Sequence, residues 1–285
     1  MKAVRKVKHS VKHLNPIYKG MIIFILLTIA AIFLPSKPDA IDVATVLGST
    51  AIFYSILLGF YIASAMTNLA RLKTLTASET GALIAIDKII ELSLPEKSKE
   101  TKSKIDTYLV KRFQYEINDY VEPTTNEFYS IFDVLKGAKA NSDGEGAAIN
   151  YVAEAMYYIA QARREITVAG AKIMTSASWL LMLILTTIIL ICLLLSRDGT
   201  LIGAIIVSLL GSAAIMSLFI LDDIDGNKFG EEQFAIDTYQ DVFSAMGLLH
   251  YYPEHILMGG RYRPTVKEYR IGEPGNLHVK KTKKY

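Results

Sequence analysis

"TAIFYSILLGFYIASAMTNLAR", Thr50 to Arg71, is the stretch on which the fold turns. It carries no ionisable acid or base before Arg71, and bulky side chains recur at Ile52, Ile56 and Phe60. Steps of four put these three side chains on one drifting face of a helix. The step continues to Ser64 and Thr67, so the stripe turns polar towards its end. A helix of about 20 apolar residues spans a ~30 Å hydrocarbon core, and this run is long enough. The stripe itself leaves two readings open. It packs against a neighbouring span, or, in a ring of identical helices around a rotation axis, it forms a hydrophobic constriction that gates by dewetting.

The composition agrees with a membrane chain. Of 285 residues 51% are hydrophobic and 21% charged, and the mean hydropathy is +0.29. Apolar runs occur at 20–35, 43–69, 173–195 and 201–221. The first, "GMIIFILLTIAAIFLP", reaches across if Ile17 and Tyr18 count and Lys19 snorkels to the headgroups. A basic stretch before a short apolar run also reads as a signal peptide, but no small-x-small cleavage pattern precedes "SKPDA". Four spans put both termini on one side. Lys2, Arg5, Lys6, Lys8, Lys12 and Lys19 precede the first run with no acid among them, so that side is cytoplasmic. The expected organisation is a basic cytoplasmic N-terminus (1–19), spans one and two (20–70), a cytoplasmic helical domain (71–172), spans three and four (173–221) and a cytoplasmic helix with an irregular tail (222–285). The expected location is the plasma membrane, in contact with the lipid bilayer.

Helical periodicity runs through the cytoplasmic part. Thr76 with Glu79 makes a capping-box pattern that opens a helix carrying Leu83, Ile86, Ile89 and Ile90. "LPEKSKETK" reads as a break, followed by one amphipathic helix over Ile105, Tyr108, Leu109, Phe113, Ile117 and Tyr120 that ends at Pro123. Thr124 with Glu127 opens a short helix, and "GAKANSDGEG" is a loop. From Ala147 a helix runs through Arg163 and Arg164 into span three with no breaker. Phe234, Val242, Ala245, Leu248 and Leu249 mark a further helix, and the last thirty residues read as irregular.

Several functions are disfavoured. No acid, base or histidine lies in the apolar runs after Lys19, whereas ion-coupled transporters and intramembrane catalysts place such groups at membrane depth. The five histidines form no metal-binding spacing, and Cys192, the one cysteine, allows no intrachain disulfide. No nucleophile or acid–base constellation suggests an enzyme. The net charge of +3 sits at membrane-proximal ends, which suits lipid contact and topology better than nucleic acid. No fixed-period or inverted repeat is visible, against a transporter. A channel and a non-conducting protein whose cytoplasmic helices bind a partner or sense a signal both stay open. Oligomeric state separates them, because a monomer or dimer cannot ring a pore.

The fourth run ends unusually, as "LFILDDIDGNKFGEEQF", Leu218 to Phe234, with carboxylates at Asp222, Asp223, Asp225, Glu231 and Glu232. Glu231 and Glu232 suit the N-terminus of the next helix, and Asp222 and Asp223 suit pairing with Arg163, Arg164 or Lys172. Clustered carboxylate oxygens also suit a hard cation. Asp223, Asp225 and Asn227 mimic the first ligands of an EF-hand, but Lys228 stands at the required glycine and Phe234 at the required glutamate, so it is not one.

Three stretches carry a family resemblance. "LLGFYIASAMTNL", Leu57 to Leu69, is similar to the "LGFYV" segment in the second membrane helix of bestrophins. "GNKFGEEQF", Gly226 to Phe234, resembles their "NPFGEDDDDFE" stretch. An acid after span two, here Glu79, and the approach "QARREITVAGAKIMTSASW" to Trp179 resemble the bestrophin-like domain family. The resemblance covers roughly 46–243. It implies an all-α, four-span membrane protein with a helical cytoplasmic domain, assembled as a pentameric ion channel with inorganic ions as its passengers. Carried over residue by residue, the pore neck falls on Ile52, Ile56 and Phe60, with Ser64 and Thr67 lining the pore towards the cytoplasm and the cytoplasmic helices forming a vestibule. It also implies calcium as a candidate cofactor at Asp222, Asp223, Asp225, Glu231 and Glu232. There the sequence departs from the family, with Lys228 in place of proline and only Glu231-Glu232 left of the acidic run.

Overall fold

Runs of apolar sequence rich in leucine, isoleucine and alanine, without internal proline, fold as long helices here. The computed structural model describes residues 16–33, 42–117, 119–137, 140, 142–197, 200–226, 231–254, 257, 264 and 266–281. The helices are α1 (Pro16–Phe33), α2 (Val43–Ser93), α3 (Pro95–Arg112), α4 (Thr125–Phe132), α5 (Asp143–Ala169), α6 (Ser176–Leu195), α7 (Leu201–Asp225) and α8 (Glu231–Ala245). Strands β1 (Glu268–Glu273) and β2 (Asn276–Lys281) pair antiparallel. The chain divides into two compact units, 1–66 with 172–226 and 67–171 with 227–285.

In the first unit α1 packs along α7, and α6 packs against α7. The core holds Tyr54, Met182, Ile189, Ala204 and Leu221. Gly211 permits the close approach, since a Cβ there would lie 2.9 Å from Leu190 Cδ2 and 3.0 Å from Leu27 Cδ1. Tyr54 Oη donates to the Ala214 carbonyl at 2.8 Å, a partner freed from its own helix's bonding demands by the second carbonyl lone pair. The opposite faces of α6 and α7 stay uncovered, with Leu180, Ile202 and Ile206 exposed. Such apolar faces require lipid, and the chain is an integral membrane protein. Among the described residues three helices, α2, α6 and α7, are long and apolar enough to cross a membrane. The apolar part of α1, Met21–Ala30, is shorter than a span, so the expected count of four rests on three helices that reach the length by themselves.

Two helix boundaries differ from expectation, in opposite senses. Span two does not end at a capping box: α2 continues unbroken for 51 residues, about 77 Å at about 1.5 Å per residue. Thr76 and Glu79 lie in its interior, fully buried. The helix from Ala147 does not run on into span three. It begins earlier, at Asp143, where Ser142 Oγ accepts the Glu145 N–H at 3.3 Å, and it ends at Ala169. Span three restarts at Ser176, where Thr175 Oγ1 accepts the Ser178 N–H at 3.2 Å. Between them, the Ile173 and Met174 N–H groups donate to Asp225 Oδ1 at 2.8 and 3.1 Å. That carboxylate replaces the carbonyls a continuous helix would have supplied.

In the second unit "LPEKSKETK" starts a helix where a break was expected, because Pro95 occupies the first helical position, whose N–H needs no partner. The helix then stops at Arg112, short of the expected Tyr120. Arg163 Nη2 donates to the Val121 carbonyl at 2.7 Å and holds that segment in turns. α4 forms where Thr124 and Glu127 predict it, though the Thr124 hydroxyl donates to Tyr120 O and caps nothing. α8 forms over Phe234, Val242 and Ala245 as expected but stops there, and Leu248 and Leu249 lie beyond it, after Gly247 turns the chain at φ 72°. The tail is not irregular throughout: β1 and β2 turn at Pro274 and Gly275, where Gly275 adopts φ 88°. The hairpin is tied down by Arg270, whose two guanidinium nitrogens donate to Asp106 at 2.9 and 2.7 Å.

Candidate functional site

The exposed face of α2 begins at its N-cap. Asp42 accepts hydrogen bonds from the Thr45 N–H at 3.2 Å and from the Thr45 hydroxyl, which hold its carboxyl below the usual aspartate value. Thr45 and Ser49 follow on the same face, both exposed. Next come Ile52, Ile56 and Phe60, 64%, 64% and 63% exposed, while Tyr54 on the packed side is 6% exposed. The chain's own helices therefore leave the bulky stripe uncovered. Ser64 is half-buried and Thr67 exposed. No acid or base lies between Asp42 and Arg71, and Arg71 is paired with Glu165 at 2.8 Å.

The acidic residues divide between two places. Asp222, Asp223 and Asp225 occupy the last turn of α7. Asp225 is buried and bonded to Ile173 and Met174, whereas Asp222 and Asp223 are half-buried. Glu231 and Glu232 open α8, where a helix dipole favours carboxylates, and their side chains lie outside the described residues. Among the described residues no three His, Cys, Asp or Glu side chains converge as a metal site. Arg163, one expected partner of Asp222 and Asp223, is 2% exposed and bonds to Val121 O and to Thr124 Oγ1 at 3.0 Å.

The second unit contains a polar centre that the capping-box reading conceals. Glu79 is fully buried, and its Oε1 accepts the Tyr108 hydroxyl. Its Oε2 accepts Tyr120 Oη at 2.8 Å and Tyr239 Oη at 2.6 Å. Burial first, and the Glu79 charge second, push the Tyr108 and Tyr120 hydroxyls well above the ordinary tyrosine value. The Arg112 guanidinium lies 4.0 Å from the Tyr239 ring centroid and 4.3 Å from that of Tyr120. Arg163 stacks 4.2 Å from the Phe128 centroid. A buried charge persists where it is hydrogen-bonded and faces an opposite charge, and here three phenols bond the Glu79 carboxylate while the Arg112 guanidinium feels its charge. Glu79 and its three tyrosines are fully buried, so they clamp α2, α3, the 113–124 turns and α8 together. One sequence signal pointed to it: Glu79 falls on the same helical face as Leu72, Thr76, Leu83 and Ile86, a core stripe.

A model of the Bestrophin-like domain family matches residues 17–226. No curated protein matches the sequence. Among solved structures, a crystal structure of a membrane-protein variant has a TM-score of 0.62 at 12% identity, covering 82% of this chain and 100% of its own. A bacterial bestrophin homologue from Klebsiella pneumoniae has a TM-score of 0.59 at 12% identity, covering 81% and 99%. At such identity the likeness is one of fold.

Proposed function

The chain belongs to the Bestrophin-like domain family, and from that premise we propose that it is a passive ion channel formed by a ring of identical chains. In this reading α2 faces the axis, Ile52, Ile56 and Phe60 form a hydrophobic neck, and Ser64 and Thr67 line the pore below it. The observation that carries it is the stripe itself: three large apolar side chains about two-thirds exposed on one face of a spanning helix. Lipid would accept such a face too, but it would not require Asp42, Thr45, Ser49 and Thr67 to continue the same line. A ring of these helices gives water a polar entrance, an apolar constriction and a polar exit.

The neck works by dewetting. Bulky apolar walls disfavour a water column, and an ion that meets them must shed hydration without carbonyls or carboxylates to replace it. Permeation is passive, because the α2 face offers no titrating group at membrane depth with which to couple a second ion. The resemblance to bestrophins makes five the expected number of chains. The plasma membrane with both termini cytoplasmic is the expected setting, on the basic residues that precede α1. Calcium is the cofactor this reading would add, at the Asp222 and Asp223 carboxylates of α7 and apart from Asp225, whose Oδ1 is taken by two backbone donors.

Conductance of purified protein in planar bilayers tests the reading, together with the mass of the detergent-solubilised assembly. Ile52→Ala, Ile56→Ala and Phe60→Ala should each enlarge the current of a cyclic oligomer. Silence from all four proteins at verified incorporation, or a monomer in solution, would overturn it and favour a cytoplasmic binding role.

A further inference from the structure

We infer that Asp42 sets the charge preference of this pore, making its N-terminal mouth attractive to small monovalent cations such as potassium and repellent to chloride. The inference rests on the channel reading above and deepens it. Asp42 precedes Phe60 by eighteen residues, five turns at about 3.6 residues per turn, so the N-cap and the last neck residue share one azimuth on α2. Thr45, Ser49 and Ile56 lie within the same arc, and all are exposed. Any rotation of α2 that turns the neck inward therefore turns Asp42 inward as well. A ring of carboxylates at a pore mouth selects cations, as acidic rings do in cation channels.

Two further observations favour Asp42 as the deciding charge. The Thr45 amide and hydroxyl fix its carboxylate at the helix start. Between Asp42 and Arg71 the sequence holds no other acid or base, and Arg71 is neutralised by Glu165 at 2.8 Å. Against Asp42 stands the α2 N-terminus, which contributes roughly +0.5 of a charge and without Asp42 favours anions. One residue thus decides the sign of the mouth.

The mechanism makes a salt-dependent prediction. Asp42 lies ten residues before Ile52, about 15 Å along the helix, so it acts on the ion concentration at the mouth and not on the neck. The Debye length is about 10 Å at 0.1 M and about 3 Å at 1 M salt, so the preference should fade at high salt.

The test is the reversal potential of the reconstituted full-length protein under a tenfold potassium chloride gradient, at low and at high mean salt. Asp42→Asn removes the charge and keeps an N-cap acceptor, so it leaves α2 capped. The wild type should favour potassium. Asp42→Asn should lower the potassium-to-chloride permeability ratio about threefold or more at low salt, since a focused ring of charge raises local counter-ion concentration about tenfold or more. Ser49→Asp in the Asp42→Asn background should restore the preference, because it returns a carboxylate to the same face. Currents that favour chloride in the wild type, or a ratio unchanged in Asp42→Asn, would overturn the role of Asp42 and leave the channel standing. Absence of current in every variant would overturn both.

Discussion

Tyr239 on α8 donates its hydroxyl to the Glu79 carboxylate on α2, Oη to Oε2 2.6 Å, across 160 residues of chain. Both side chains are fully buried, so this contact closes the second unit from its two ends in sequence. Tyr239→Phe should destabilise the protein by about 1.5–3 kcal/mol, the usual range for a hydrogen bond to a charged acceptor. Glu79→Ala should cost about 3 kcal/mol or more, because it strands three buried hydroxyls and removes the negative charge that acts on the buried Arg112. Thermal unfolding of the detergent-solubilised protein checks both. A Glu79→Ala protein that melts with the wild type would show that the clamp is idle.

Alkaline pH should loosen the same unit. Burial pushes Tyr251 up to about 12, and Tyr108, Tyr120 and Tyr239 are also raised, each by burial first. Each hydroxyl keeps its proton longer in the folded chain than in the unfolded chain. The stabilisation is therefore complete below the ordinary tyrosine value of 10 and is lost as pH rises through the folded value, for Tyr251 between 10 and about 12. Melting temperature should hold steady up to about pH 10 and fall beyond it. Tyr251→Phe should show a shallower fall; an identical slope would remove Tyr251 from the explanation.

Asp225 should prove structural. Its Oδ1 accepts two backbone N–H groups, Ile173 at 2.8 Å and Met174 at 3.1 Å. Asp225→Ala should cost about 2 kcal/mol, and Asp225→Asn less, because the amide keeps an acceptor oxygen. The loss should be the same in excess chelator and in millimolar calcium. A wild-type protein that melts higher with calcium, while Asp225→Ala does not, would assign this carboxylate to a cation instead.

The hairpin depends on Asp106 and Arg270, half-shielded from water and bonded through two parallel contacts of 2.9 and 2.7 Å. Such forked pairs hold geometry as well as energy. Asp106→Ala should speed proteolysis within 264–281 several-fold while leaving the melting of the helical core within about 1 kcal/mol of wild type. Protection equal to wild type would mean that the Tyr251 hydroxyl on the Gly272 carbonyl at 2.7 Å and the backbone bonds between Arg270 and 250–252 hold the hairpin without the ion pair.

Local pattern decided much of this protein. The apolar runs marked α2, α6 and α7 as spans because hydrocarbon demands length and internal backbone bonding, and both are written along the chain. The spacing of Ile52, Ile56 and Phe60 placed them on one face for the same reason, since helical period is a local property. The order of motifs from Leu57 to Phe234 marked the family before any fold was known. Those features need no knowledge of what lies opposite.

What lies opposite decided the rest. Thr76 and Glu79 match a helix start in sequence, and only the arrival of Tyr108, Tyr120 and Tyr239 turns Glu79 into the centre of a core. The break before Ser176 has no proline to announce it; it exists because Asp225, fifty-two residues after Ile173, supplies the acceptor. Arg163 ended α3's expected course by taking a carbonyl 42 residues away. In each case a side chain distant in sequence competes with the backbone's own partner. The sequence determined that α2, α6 and α7 are helical and which of their faces are apolar, because those depend on neighbours three and four residues apart. Only the tertiary structure decided where helices stop and which charge is buried, because those depend on partners that folding alone brings within 3 Å.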